Sequence, residues 1–460
     1  MSTQQKNTTD KAAVLTVLTI TSFLPAFMGS SINIALPSIG KEFSLDAVAL
    51  GWMVTIYILA TAIFAVIFGR IADISGRKRI FLSGLLLFFL ASIFSAAAPS
   101  GLMLIIFRAL QGIGAAAIFS TATAILTSVY PANERGIALG INVAAVYSGL
   151  SLGPVLGGLL TEQFGWRSIF VVTALAGCVA IVMTFLKLKG EWAEARGERF
   201  DGIGSILYGI SLALLIYGLT LLPSWPGISF FVAGLAGLVL FIRYELRIKN
   251  PVLNINLFRG NTVFLFSNLA ALVNYSATAG VGLLLSLYLQ YVKGFGPSAA
   301  GLIMISQPVL MAILSPFAGK ISDRVEPRVV ASIGMALTTM SLIMLIFVNE
   351  HTSIAYIIIN LMILGTGFAL FSSPNTNAIM SSVDKKFYGV ASATVATMRV
   401  LGHIMSLGVV TLLFSLFIGK VQITADTSTA FMGSYTTAFI IFAVLSAGGV
   451  IASLRRGNMR

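Results

Sequence analysis

Long apolar blocks recur along the entire chain, separated by shorter polar segments. Each block holds roughly 20 to 30 residues with almost no charge, enough for a helix to cross a hydrocarbon core about 30 Å thick. The blocks lack the polar–apolar alternation, in segments of about ten residues, that is typical of membrane β-strands. The pattern therefore predicts a protein built of transmembrane helices.

The apolar blocks divide the chain into fourteen predicted spans. Most connections between them are short, as expected of antiparallel neighbours. The exceptions are two longer polar segments, 189–201 and 245–256. We place the spans at 13–36, 47–69, 80–98, 101–129, 136–161, 167–187, 202–222, 228–245, 260–291, 297–319, 328–348, 352–381, 388–418 and 430–454.

Composition excludes a soluble fold. The 460 residues are 57% hydrophobic and only 10% charged, whereas a soluble domain has about 25% charged residues. The apolar stretch after Ala12 is too long for the core of a signal peptide, so we interpret it as a retained first helix. The single cysteine, Cys178, excludes a disulfide framework. The predicted fold class is an all-α membrane protein.

Charge is unevenly distributed between the two sides of this topology. The chain has 29 basic and 16 acidic residues, a balance that could also indicate nucleic-acid binding. With the first residues placed in the cytoplasm, basic residues outside the spans fall mainly in alternate loops, and the other loops hold only Lys41, Arg167, Lys293 and Lys420. This positive-inside bias predicts a multi-pass protein of the cell membrane with both termini cytoplasmic. It also predicts contact with anionic membrane lipids and no nucleic-acid partner.

A short repeat relates the two ends of the chain. The segment Gly69–Asp73 recurs as Gly319–Asp323, 250 residues later, and each copy follows an apolar span. The same offset maps spans one to six onto spans nine to fourteen and leaves spans seven and eight between them. The predicted organisation is a six-helix bundle at 1–187, a linker with two inserted helices at 188–250, and a second six-helix bundle at 251–460. Two such bundles suit alternating access, with a site at the bilayer midplane between them.

The repeated loops are candidates for gating elements. Glycine suits a tight turn, and an aspartate at a helix end can pair with a cation or a helix N-terminus. The loops are either turns that carry positive-inside charge or charge latches that break when the bundles rock. The residues concerned are Gly69, Asp73, Gly76 and Arg77 in the first copy and Gly319, Asp323 and Arg324 in the second.

The first loop, 69–79, resembles the signature of the major facilitator superfamily between its second and third helices. The segment 104–115, with Arg108, resembles the fourth-helix motif of that family. The end of the first predicted span, 32–37, and later segments around 288–291, 374–375 and 389–402 are similar to its fourteen-helix drug–proton antiporter branch. The chain is identified as a member of this branch, which implies two six-helix bundles plus two inserted helices.

The fifth predicted span resembles the motif associated with antiporters in this family. Its glycines let helices approach closely in lipid, and its proline removes a hydrogen bond and bends the helix. Packing with a hinge and direct substrate contact are both compatible with the motif. Its residues are Gly149, Gly153, Pro154, Gly157 and Gly158.

Three ionisable side chains fall inside predicted spans. Arg108 lies in span four, and Arg399 and His403 lie four residues apart on one face of span thirteen. A mid-bilayer charge costs roughly 2.5–3.5 kcal/mol on insertion scales, so such residues usually face a cavity or a partner. The arginines either carry function or clasp helices together. His403 is a candidate proton or substrate site because its unperturbed pKa is near neutrality, although an ordinary hydrogen bond could also satisfy it.

One position departs from the pattern that the resemblance implies. The related exporters carry an aspartate near the end of the first helix, where this chain has Met28. None of the 16 acidic residues lies in the middle of a predicted span. The cavity should therefore be electropositive, which argues against strong recognition of lipophilic dications and leaves the proton route open.

By family position, the substrate cavity should lie between spans one, two, four and five and their counterparts in the second bundle. Candidate lining residues are Phe27, Met28, Asn33, Tyr57, Thr121, Tyr147, Asn274, Tyr275, Gln307, Asn360, Phe371, Ser372 and Asn377. We expect a monomeric secondary transporter that exports small amphipathic compounds, neutral or anionic, in multidrug-type efflux coupled to protons. An uncoupled facilitator or an exchanger of neutral or anionic metabolites is the alternative.

Other classes of protein fit the sequence less well. The two histidines, His351 and His403, lie in different parts of the topology and give no catalytic constellation. A receptor that does not transport has no need of two repeated bundles. We therefore expect no enzyme activity, no cofactor and no metal site.

Overall fold

A computed structural model describes residues 11–130, 132–193, 195–222, 224–248, 251–252, 258, 260–322, 325–383, 388–419, 421 and 427–457. The described residues form helices joined by loops, with no strand among them. The helices are α1 (Lys11–Phe43), α2 (Ala47–Ser75), α3 (Arg77–Ala96), α4 (Gly101–Val129), α5 (Ala132–Phe164), α6 (Arg167–Lys187), α7 (Gly202–Leu221), α8 (Trp225–Glu245), α9 (Thr262–Leu287), α10 (Pro297–Met304), α11 (Ser306–Ser322), α12 (Pro327–Ile346), α13 (Ile354–Ser381), α14 (Tyr388–Phe417) and α15 (Ser428–Leu454).

Across this described part of the chain, fourteen segments are long and apolar enough to cross a membrane. Helices α10 and α11 form a single span, interrupted at Ile305. A π-helical turn, Tyr288–Val292, prolongs α9. Because the number of spans is even, the beginning of α1 and the end of α15 lie on the same side of the membrane, which we name the terminal side. We name the other side of the membrane the opposite side. The predicted number of spans is confirmed.

Helix ends follow simple capping rules. The side chains of Asp46, Ser100, Asp201, Ser224 and Ser353 each accept a hydrogen bond from a backbone N–H in the first turn of the helix that follows. These bonds satisfy donors that a helix cannot satisfy itself. Polar residues at these few positions therefore fix where the apolar spans begin.

Helices α1–α6 form a first six-helix set. Helices α9–α15 form a second, in which α10 and α11 count as one span. In the first set α1 packs on α5, while α4 packs on both α2 and α3. In the second set α9 packs on α14, while α13 packs on both α11 and α12. Corresponding spans thus make corresponding contacts, and the predicted two bundles with two inserted helices are confirmed.

Glycine positions confirm the correspondence at atomic detail. In the first set Gly84 of α3 faces the carbonyl oxygen of Gly114 in α4, and in the second set Gly334 of α12 faces that of Gly367 in α13. Small residues allow this close approach. The offset is 250 residues at the first member of each pair and 253 at the second, because the loop before α13 has three more residues than the loop before α4.

The repeated signature glycines also occupy equivalent places. Gly69 of α2 faces Ser120 of α4, and Gly319 of α11 faces Ser373 of α13. Asp323 and Arg324 of the second copy lie outside the described residues. The equivalence of the two loops is therefore established at their glycines.

The two sets meet along two seams. Helix α2 packs on α14 at one seam, and α5 packs on α10 and α11 at the other. The inserted helices α7 and α8 pack on each other, and α7 also contacts both α2 and α14. Tyr208 of this hairpin is buried beside Phe241, whereas Trp225 is 81% exposed. The three-part division at 187 and 250 stays a prediction as regards its boundaries.

Candidate functional site

Hydrogen bonds join the two sets on the opposite side. The Ser286 hydroxyl of α9 donates to the carbonyl oxygen of Asn33 in α1 at 2.6 Å. Gln290 donates to the carbonyl oxygen of Ile34 at 3.2 Å. Between α10 and α5, the backbone N–H of Ser298 donates to Glu162 at 3.2 Å. These bonds hold the helix ends of the two sets together on that side.

Close glycine approaches strengthen the same closure. A Cβ on Gly158 of α5 would lie 2.5 Å from the carbonyl oxygen of Pro297 in α10. A Cβ on Gly301 of α10 would overlap the carbonyl oxygen of Pro154 in α5. Backbone atoms meet backbone atoms here, so only glycine permits the contact. The opposite side is therefore closed where α5 meets α10.

The antiporter-like motif lies on two contact surfaces of α5. Gly149 and Gly153 face the backbone of α1 near Phe27, and Gly157 faces Ser31 of the same helix. Gly158 faces the second set, as described above. This placement agrees with the packing interpretation of the motif, and Pro154 lies within α5.

At mid-depth, six side chains of the two sets meet in a cluster that we name the seam site: Tyr147, Tyr275, Phe368, Ser372, Arg399 and His403. The Tyr147 hydroxyl of α5 lies 3.3 Å from the Ser372 hydroxyl of α13, which joins the two sets. The Arg399 guanidinium lies 5.2 Å from the centre of the Tyr275 ring. The rings of Phe368 and His403 each lie 5.4 Å from that of Tyr275.

The seam site is partly exposed and carries a positive charge that no described carboxylate neutralises. Tyr275, Phe368 and Ser372 are buried. Tyr147, Arg399 and His403 are only half-buried although none is near a helix end. The Nε atom of Arg399 is buried and has no hydrogen-bond partner. Among the residues with a described position, acidic side chains lie in loops or at helix ends, and none lies at this depth. The predicted electropositive character therefore rests on Arg399.

Arg108 lies elsewhere, inside the first set. It is completely buried, and its guanidinium lies 4.2 Å from the centre of the Tyr57 ring. It donates to the carbonyl oxygen of Met53 at 3.3 Å and to the Gln111 side chain at 2.6 Å. The Tyr57 hydroxyl donates in turn to the carbonyl oxygen of Pro25. Arg108 thus links α1, α2 and α4, as the clasp interpretation expects.

Most of the remaining predicted cavity residues lie away from the seam site. Asn360 is buried against Ser341 of α12 and exchanges hydrogen bonds with it. Asn377 donates to Ser322 on the terminal side, and Thr121 bonds within its own helix. Asn274 is fully buried, and neither side-chain atom has a hydrogen-bond partner. Phe27 and Met28 are also buried, whereas Asn33 and Gln307 are half-buried. Phe371 is buried in the apolar cluster that contains Tyr275 and Phe368.

The first signature loop forms a compact charge cluster. Arg77 donates to Asp73 at 2.7 Å and also to the carbonyl oxygen of Ala124 in α4. Gly76 between them has a φ of +119°, in the region that favours glycine. The cluster therefore binds α2 and α3 to α4 within the first set.

The linker after α6 lies across this loop; we name its described residues 191–193 and 195–198 the strap. The backbone N–H of Arg77 donates to the carbonyl oxygen of Trp192, and that of Ala195 donates to the carbonyl oxygen of Asp73. Glu191 accepts from the backbone N–H of Lys78, at the start of α3. Glu198 forms an ion pair with Arg70 of α2 at 2.5 Å. The sequence identified the linker but not these contacts.

Replacing Glu191 by Gln should loosen the strap. A carboxylate at a helix N-terminus is worth about 0.3–1 kcal/mol, so we expect trypsin to cleave after Arg196 or Arg199 roughly two- to fivefold faster. The matched control is Glu350→Gln, which removes an exposed charge from the opposite side. Equal cleavage of the two variants would show that Glu191 does not hold the strap.

Arg456 has a role that sequence reasoning missed. Its charge suggests a surface residue of the terminal side, yet it is completely buried. It donates to the Asn375 side chain at 2.9 Å and to the carbonyl oxygen of Ser453 at 3.0 Å. Burial and the nearby Arg328 lower the pKa of Arg456 to about 10. The Pro374–Asn375 segment noted in the sequence is therefore part of an arginine clamp between α13 and the end of α15.

Comparison with known proteins relates this geometry to transporters. The chain is 34% identical over 384 residues to Multidrug resistance protein Stp of Mycobacterium tuberculosis, covering 82% of this chain and 71% of that protein. It is 29% identical to Riboflavin transporter RibZ of Clostridioides difficile, covering 94% and 92%. It is 25% identical to the Tetracenomycin C resistance and export protein of Streptomyces glaucescens, covering 85% and 73%.

Solved structures and a family model agree on the fold. A bacterial homologue of the human lysosomal transporter Spinster, in an inward-facing and unoccupied conformation, superposes with a TM-score of 0.71 over 97% of this chain and 96% of that one, at 15% identity. The model of the Major Facilitator Superfamily matches residues 18–406 and, in a second match, 267–458. The chain is therefore a transporter and not an enzyme, and it belongs to the Major Facilitator Superfamily.

Proposed function

We propose that this protein is a secondary transporter that exports small amphipathic compounds from the cytoplasm by alternating access. The seam site supports this proposal most directly, because it lies at mid-depth and draws side chains from both six-helix sets. Because α1 contacts α9 and α5 contacts α10 on the opposite side, we propose that the compound enters from the terminal side. Relatives named for multidrug resistance and tetracenomycin export support the direction of transport.

The orientation and surroundings belong to the same proposal. Basic residues predominate in the loops of the terminal side, so we place that side and both termini in the cytoplasm, in the cell membrane. The same basic residues would contact anionic lipid headgroups. We propose a monomer, since each chain supplies both six-helix sets.

Proton-coupled antiport is the proposed source of energy. His403 supports it, because it lies in the seam site beside Arg399 and its imidazole is a group that can take up and release a proton. In proteoliposomes we expect an imposed pH gradient to accelerate export at least about fivefold over a matched preparation without a gradient. We expect His403→Gln to abolish that acceleration, with folding checked by thermal stability. Flux that ignores the pH gradient would remove the coupling claim.

An uncoupled facilitator or an exchanger is the alternative. The observation that favours it is the position of the described acidic side chains, which are confined to loops and helix ends. In such a protein His403→Gln leaves the pH profile unchanged. An anionic substrate would instead respond to an imposed membrane potential, since moving one charge through 100 mV is worth about 2.3 kcal/mol.

A further inference from the structure

The seam site has a composition that selects for one class of substrate. We infer that the transported compound is an aromatic monoanion, held with its acidic group on Arg399 and its ring against Tyr275, Phe368 and Tyr147. This inference rests on the proposed export function and adds to it the chemistry of the compound.

The charge of Arg399 favours an anionic substrate. Arg399 is half-buried at mid-depth, and its Nε atom has no hydrogen-bond partner. Within the described ranges no carboxylate lies close enough in depth to neutralise it. A guanidinium in such a place gains most from a planar anion that it can bind through two parallel hydrogen bonds. A carboxylate or sulfonate on the substrate meets that requirement, whereas a cationic substrate is repelled.

The aromatic side chains of the seam site favour a flat ring on the substrate. Phe368 and His403 meet the Tyr275 ring edge-on, with interplanar angles of 70° and 84°. Met311 lies in the apolar cluster with Tyr275 and Phe368, and Met398 packs against it. Aromatic rings favour offset or edge-to-face partners, and methionine adapts to ligands of different outline. Such a wall suits a flat ring of variable substitution.

A substrate in the seam site can contact both six-helix sets. The Tyr147–Ser372 hydrogen bond joins them at mid-depth, and its length of 3.3 Å exceeds the usual 2.5–3.0 Å for hydroxyl pairs. A polar group of the substrate can displace this weak bond and contact Tyr147 itself. The substrate then touches both sets at once, which couples its binding to their relative movement.

Three matched naphthalene probes test the inference on purified protein: 1-naphthoate, 1-naphthamide and 1-naphthylmethylammonium. We expect naphthoate to bind roughly 10- to 100-fold more tightly than the amide, the difference given by one charge-assisted hydrogen bond. We expect the ammonium probe to bind least. Arg399→Gln should remove the preference for the anion, and Arg399→Lys should keep part of it.

The control variant is Arg243→Gln, which removes an exposed arginine near the end of α8 and should bind like the wild type. Thermal stability of each variant shows whether it is folded. Equal affinity for anion and amide, an unchanged preference in Arg399→Gln, or no naphthoate binding up to about 1 mM would overturn the inference.

A parallel flux measurement separates this inference from the proposed function. Proteoliposomes that export neutral or cationic dyes equally well with wild type and Arg399→Gln would retain the export function and reject the anion site. Proteoliposomes that export none of the compounds, while naphthoate still binds through Arg399, would reject the export function and retain the site.

Discussion

Replacing Gly301 by Ala should reduce transport at least about tenfold while leaving the protein folded. The added methyl group would overlap the carbonyl group of Pro154, and backbone atoms cannot move aside as a flexible side chain can. Overpacking of this kind costs typically 1–3 kcal/mol. Because the strain exists only while α5 and α10 are in contact, the variant should populate a state that is open on the opposite side. Substrate flux in proteoliposomes measures the loss.

The matched control is Gly448→Ala in α15, where a Cβ would meet nothing within 4 Å. Its flux should equal that of the wild type. Cross-linking reports the conformational cause: with Cys178→Ser as background, cysteines placed at 162 and 298 should link less efficiently in Gly301→Ala. Normal flux together with unchanged cross-linking would contradict the proposed closure between α5 and α10.

Removing Arg108 should have the second largest effect, on stability. Arg108→Met takes away the bonds to Met53 and Gln111 and the contact with the Tyr57 ring, all of them buried. Leaving buried polar partners unsatisfied costs about 1–3 kcal/mol for each group. We expect the thermal unfolding midpoint in detergent to fall by several degrees. Arg243→Met, in an exposed position, should show almost no change.

Arg108→Lys distinguishes the two interpretations of this residue. A lysine keeps the charge but lacks the planar fork that contacts Tyr57 and Gln111 together. If Arg108 clasps helices, Arg108→Lys should lose nearly as much stability as Arg108→Met. A stable Arg108→Lys protein with an altered pH dependence of transport would show instead that Arg108 acts through its charge.

Helix positions could be predicted from the sequence because whether an apolar block spans a bilayer depends on the residues of that block alone. A span needs only length, apolarity and flanking polar residues, and all three are local. The break at Ile305 was not predicted, although Pro308 signals it, because proline has no backbone N–H to donate to the carbonyl oxygen of Met304 four residues earlier. The three-residue difference in loop length before α13 was readable in principle, but only after both helix ends were known.

The candidate site was predictable only in part. Arg399 and His403 stood out because ionisable residues are rare within spans. Tyr147 and Tyr275 were among thirteen candidates chosen by family position. Nothing local separates them from Asn360 or Thr121, which bond inside their own bundle. Contacts between residues more than 200 positions apart depend on how the two sets meet, and a single sequence does not specify that arrangement.

The inserted hairpin makes the two seams physically unlike. Helix α7 lies on both α2 and α14, so one seam carries an additional layer. Because α2 and α14 belong to different six-helix sets, any movement of one set against the other makes α7 slide along at least one of these two helices. Separating α2 from α14 therefore also disrupts contacts of α7, whereas α5 and α11 have no such additional helix at their contact among the described residues. We expect the entrance between the two sets to open first between α5 and α11, so that it is asymmetric despite the internal duplication.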